Sequence, residues 1–165
     1  MTKATSYILL LSVLLWAVFL PSCAAREYKD SQTCAELAWG AASAIPSSKG
    51  YSAYGDDHIK YEFGNTELYN DCCIIYSNET EDVNEIGVFH MPDADSAKEF
   101  AKIAENYIFN MREDQRAFIE SYAPNEVPKL DGARIYILGN YVVYTVLSAK
   151  DRDKVMESIE ALLGK

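Results

Sequence analysis

Base, thiol and imidazole are all scarce here: the 165 residues include 15 Lys plus Arg, four Cys and two His, against 25 Asp plus Glu. With a formal charge of −10, the chain lacks the clustered cations that phosphate contacts need, which excludes a nucleic-acid or polyanion binder. Four cysteines are too few for a disulfide scaffold. No Gly-x-Ser-x-Gly elbow and no Ser-x-x-Lys is present, so the common nucleophile signatures are missing. There is also no internal repeat and no low-complexity tract. The longest apolar run, Tyr7 to Leu20, is ~21 Å as a helix, short of the ~30 Å hydrocarbon core. What is abundant is hydrophobic residues, at 49%, which excludes global disorder and fits one ordinary domain.

The first 22 residues hold no acid and one base, Lys3, ahead of that apolar run. A basic head, a short apolar centre and small residues at its end describe a signal peptide. Leu20-Pro21-Ser22-Cys23 resembles a bacterial lipobox, with Leu three residues before the cysteine and a small residue directly before it. Pro21 stands where that signal more often has Ala, Ser, Thr or Val. The resemblance implies diacylglycerol on the Cys23 thiol and cleavage before it. Two buried acyl chains, at ~0.8 kcal/mol per methylene, anchor a protein stably where one does not. The expected organisation is a lipoprotein signal peptide at 1–22, a lipidated tether at 23–30 and a single domain at 31–165. Removing 22 residues that carry one positive charge leaves 143 residues at −11. The expected location is the extracytoplasmic face of a bacterial membrane.

Local patterns divide the domain. Thr33 and Glu36 have capping-box spacing ahead of a helix that Pro46 ends. Residues 46–56 read as a loop rich in breakers. Strands are expected at about 57–63, 71–77 and 83–91, the second being apolar on both faces. In the third, Ile86 and Val88 share one face and Glu85 points to the other. A long helix is expected over about 94–122, capped by Asp93 or Ser96 and striped with Phe100, Ile103, Ala104, Tyr107, Met111, Phe118 and Tyr122. Gly139-Asn140 between two strand-like runs signals a tight hairpin. Ser148 with Asp151 opens the last helix. The order αβββαββα, with short connections, predicts an α+β domain with a mostly antiparallel five-stranded sheet and helices packed on one face.

Three stretches resemble the domain-of-unknown-function family numbered 4358, found in secreted lipoproteins of clostridial-type Gram-positive bacteria. They are Leu68-Tyr69-Asn70-Asp71, Asn84-Glu85-Ile86-Gly87-Val88-Phe89, and Tyr122-Ala123-Pro124 followed by Gly139-Asn140-Tyr141-Val142. The resemblance spans about 30 to 163. Gly87 departs from the family pattern, where a larger residue is usual, and is expected to mark a bulge. The resemblance implies an anchored, extracytoplasmic protein and a link to surface-polymer acylation systems. It brings no activity, substrate or catalytic residue.

Candidate chemistry is sparse. Cys72 and Cys73 beside His90 read as packing thiols in an apolar strand rather than as a nucleophile with its base. Asp56-Asp57-His58 on a strand would point alternately, so at most two converge on a metal. Asp93-Ala94-Asp95-Ser96 lacks the Gly and distal Glu of a calcium loop. Glu79, Glu81, Asp82 and Glu85 read as a solvated acidic loop. Tyr51, Tyr54, Tyr61 and Tyr69 form the one candidate ligand surface, a stacking platform for a sugar or peptide, with cross-strand filling as the alternative. No catalytic residue, metal or cofactor is expected. The expected partners are the membrane, through the lipid, and an envelope protein, peptide or glycan. The expected role is a non-enzymatic binding or accessory domain; the alternatives are an envelope hydrolase or transferase, or an accessory factor of surface-polymer acylation.

Overall fold

A computed structural model describes residues 28–64 and 66–164. Thr33 caps helix α1 (Cys34–Ala42) with the capping box that its spacing predicts. Its hydroxyl accepts from Glu36 N at 3.2 Å, and Glu36 Oε2 accepts from Thr33 N at 2.9 Å. A 3-10 turn over Pro46–Gly50 leads into strand β1 (Tyr51–Ala53), which lies inside the segment expected to be a loop. Its three residues are held by pairing with β2 (Asp71–Ser77), from Tyr51↔Ser77 to Ala53↔Ile75.

Residues 57–63, expected as a strand, are instead helical: α2 spans Asp56–Phe63. Its two buried residues, Ile59 and Phe63, are four apart, and Asp56 and Asp57 occupy the first turn. That spacing puts one apolar edge on a helix, and acids suit its N-terminal dipole. Gly64, at φ +82°, stops the helix in a conformation that costs other residues.

Strand β3 (Glu85–His90) precedes helix α3 (Ala94–Tyr122), whose first turn is capped by Asp93 accepting from Ser96 N at 2.7 Å. Short helix α4 (Val127–Asp131) fills the following connection. Strands β4 (Arg134–Leu138) and β5 (Tyr141–Val146) then form the expected hairpin, with Gly139 at φ +62°. Ser148 caps α5 (Ala149–Leu162) by accepting from Asp151 N. The sheet is antiparallel throughout in the order β1-β2-β3-β5-β4. The α+β class, the number of strands and the principal order are those expected, with β1 in place of the expected strand at 57–63 and α2 and α4 added.

Helices cover both faces of this sheet, where one covered face was expected. On one side α1 and α5 pack Leu37, Ala38, Val155 and Ile159 against Cys73, Ile75, Ile86, Val88 and Val143. On the other, α2 and α3 pack Phe63, Phe100, Ala104 and Met111 against Ile74, Phe89, Val142 and Tyr144. Every residue of β5 is buried, and so is all of β3 but His90. Strands apolar on both faces require two covering layers.

Candidate functional site

Residue alternation sends Ile86 and Val88 toward α1 and α5, and Glu85, Gly87 and Phe89 toward α3. Glu85 therefore enters the interior at the start of β3, only 5% exposed. Three phenols replace its water. Tyr144 of β5 donates to Oε1 at 2.6 Å, Tyr107 of α3 donates to the same oxygen at 2.9 Å, and Tyr54, just past β1, donates to Oε2 at 3.3 Å. Burial pushes the Glu85 carboxyl above its ordinary range, and the three hydroxyls partly oppose that shift. Burial first, and the Glu85 charge second, push Tyr54, Tyr107 and Tyr144 up as well, so all three keep the proton they donate.

Gly87 explains how Tyr144 reaches its place. The two residues are cross-strand partners, and a Cβ on Gly87 would sit 2.0 Å from the Tyr144 ring. The expected bulge is absent: β3 keeps unbroken register with both neighbours through Gly87. The missing side chain is clearance for a ring.

Outward from Glu85 lies a cavity of about 310 Å³ between the β2–β3 connection, α2 and the second half of α3. Its aromatic wall starts at Tyr54, whose ring stacks on His58 at 3.9 Å and on Tyr76 at 4.1 Å. Phe118 and Tyr122, with ring centroids 4.7 Å apart, stand on the helix side. Glu62, Glu81 and Asp114 complete the rim. Lys129 fixes the floor from outside: its Nζ binds Asp82 at 2.9 Å and Glu126 at 2.6 Å, and Glu126 in turn accepts from Val83 N. Burial opposes ionisation of Asp82, yet the Lys129 ammonium holds its carboxyl below the usual range.

A carboxylate has about four lone-pair positions, and three at Glu85 are filled by phenols. It orients all three hydroxyls. Tyr54 and Tyr107, which donate inward and also line the cavity, each keep an oxygen lone pair for an incoming donor.

The four tyrosines of the candidate surface are dispersed. Tyr54 lines the cavity, whereas Tyr51 is buried with the α1 and α5 layer. Tyr69 is buried edge-on to Phe89 and Phe100 at 5.3 and 5.8 Å. Tyr61 is 84% exposed on α2. Cys23 lies outside the described residues. The residues that build the site and escape sequence reasoning are Glu85, Tyr107 and Tyr144. Their signal is an acid inside an apolar strand, two residues before a glycine.

The other candidates stay apart. Cys34, Cys72 and Cys73 are free thiols; burial pushes Cys73 up to about 11, and raises Cys34 and Cys72 too. Such thiols are poor nucleophiles at neutral pH. His90 faces Asp71 across the ladder and pairs with Asp30. Asp56, Asp57 and His58 begin α2, with His58 in the cavity wall. Among the described residues, no group of three or more His, Cys, Asp or Glu is disposed to hold a metal ion.

A protein-family comparison matches residues 47–147 to DUF4358, a domain of unknown function. The chain belongs to the DUF4358 family. The match covers the whole sheet, α2, α3 and α4, and so contains every residue of the Glu85 site; α1 and α5 lie outside it. No curated protein and no solved structure matches the chain.

Proposed function

We propose that this DUF4358 domain is a ligand-binding, non-enzymatic module, held by lipid on Cys23 at the outer face of a bacterial membrane. The observation that carries the binding reading is the cavity over Glu85, where a buried carboxylate fixes three phenols beneath an aromatic wall. Fixed polar groups and aromatic rings converging on a concave surface are features of a small-molecule site, and about 310 Å³ lies at the small end of such pockets. Binding is favoured over catalysis because burial and the Glu85 charge push the three phenols up, which makes them poor nucleophiles at neutral pH. Anchoring is supported by the Leu-Pro-Ser-Cys run behind the apolar segment.

A thermal-shift panel of amines, sugars and short peptides tests the binding half. Compounds that stabilise the wild type should not stabilise Asn110→Trp, which places a bulky ring at the cavity lining. Hits that stabilise both proteins equally would sink the reading.

A further inference from the structure

The chemistry of the cavity wall narrows the ligand class, on the footing that the cavity is a binding site. We infer that the cavity over Glu85 takes a small organic ammonium ion, a primary amine or a quaternary ammonium group. Two independent features point there. Tyr54, Tyr76, Tyr107 and Phe118 surround the space, and aromatic rings attract a cation through their quadrupole. Three phenols, two of them in this wall, donate to one carboxylate. That polarisation draws each O–H toward phenolate and makes the ring richer in electrons.

Charge chooses among the guests that such a wall would accept. Glu62, Glu81 and Asp114 stand at the rim, and the described lining includes neither Lys nor Arg. The nearby cation, Lys129, is held by Asp82 and Glu126 on the outer side of the floor. An anionic guest would meet carboxylates unopposed. A bare divalent ion would need several converging hard ligands, and no group of three His, Cys, Asp or Glu side chains is so placed among the described residues. An ammonium ion meets both demands. Its alkyl groups contact rings, and its N–H groups, where present, reach the outward lone pairs of Tyr54 and Tyr107.

The experiment uses the full chain, uniformly ¹⁵N-labelled in detergent micelles, titrated with tetramethylammonium chloride and with n-butylammonium chloride. Sodium chloride at equal ionic strength, tert-butanol as the uncharged isostere and glucose as a polyol are the comparators. Saturable shifts confined to amides flanking Tyr54, Tyr76, Glu85 and Tyr107 are expected with the two ammonium salts alone. Tyr76→Leu, and separately the Glu62→Gln/Asp114→Asn pair at the exposed rim, should each weaken binding by roughly tenfold. Equal binding of tert-butanol, a lack of saturation by either ammonium salt, or affinity untouched by both variants would overturn the inference. Glucose binding in the same cavity, with the ammonium salts silent, overturns it too while leaving the broader binding reading intact.

Discussion

A carboxylate withdrawn from water must find donors to replace its hydration, or be protonated. Glu85 finds three phenols, yet burial still raises its carboxyl above the ordinary 4.5. The folded chain thus binds this proton more tightly than the unfolded chain, so stability falls as pH rises from about 4.5 through the raised value. Urea midpoints between about pH 4 and about pH 8 should show that fall in the wild type and a flatter profile in Glu85→Gln. An equal slope in both proteins would show that Glu85 is not its source. Asp82, held low by Lys129, acts with opposite sign and only below its ordinary 3.8, so the two do not overlap. Gly87 makes a second demand on this cluster. Gly87→Ala drives a Cβ into the buried Tyr144 ring and should cost about 1–3 kcal/mol. In a Tyr144→Val background, where the ring is gone, the penalty should largely disappear; a double-mutant cycle with no coupling would refute the clearance role. Sequence pattern places Glu85 on the strand face opposite Ile86 and Val88, as found, but groups it with a solvated acidic loop and reads Gly87 as a bulge. Both errors have one origin, because only the register with β5 reveals that these two residues share Tyr144.

Elements whose signals are local were legible, and those fixed by distant partners were not. The Thr33 and Ser148 caps, the Asp93 cap and the Gly139-Asn140 hairpin each depend on residues within four positions, and all form as expected. Helix α2 has eight residues, too few for a period of 3.6 to separate from a period of two. Strand β1 has three residues and exists through β2, which no local pattern announces. The expected stripe on α3 holds as far as Met111, but Phe118 and Tyr122 are 57% and 68% exposed. The 29-residue helix, ~43 Å long, outruns strands of six residues, and its overhang supplies the cavity wall. Ile119, buried in the same core as Leu130, ties this second half down. Asp93→Ala removes the cap and should cost about 1 kcal/mol, read as a lowered urea midpoint with unchanged m-value. A change in m instead would mean that the helix end was not rigidly folded onto the sheet.

At the scale of the whole molecule, the two ends of the sheet face different tasks. Glu85 opens β3 at the cavity, and His90 closes it at the opposite end, ~17 Å away along the strand. The first described residues dock at the His90 end. Asp30 pairs with His90 and accepts from Asn140 Nδ2 at 2.9 Å, while Lys29 N donates to Leu163 O at 3.1 Å. From Cys23 to Tyr28 is five residues, a reach of at most about 18 Å. An anchor on Cys23 would therefore hold the Asn140 turn near the lipid and turn the Glu85 cavity outward. This predicts an ordered pair of distances. A fluorophore on Asn140→Cys should be quenched strongly by a lipid-borne quencher in vesicles carrying the full lipidated chain, and one on Asp114→Cys weakly. The buried Cys34 and Cys73 leave Cys72 as the main competing thiol, so a Cys72→Ala background keeps labelling selective. Cys23→Ala should abolish quenching at both sites and move the protein out of the membrane fraction. Equal quenching at the two labels would mean that the docked segment does not set the orientation, and quenching that survives Cys23→Ala would remove the lipid anchor from the account.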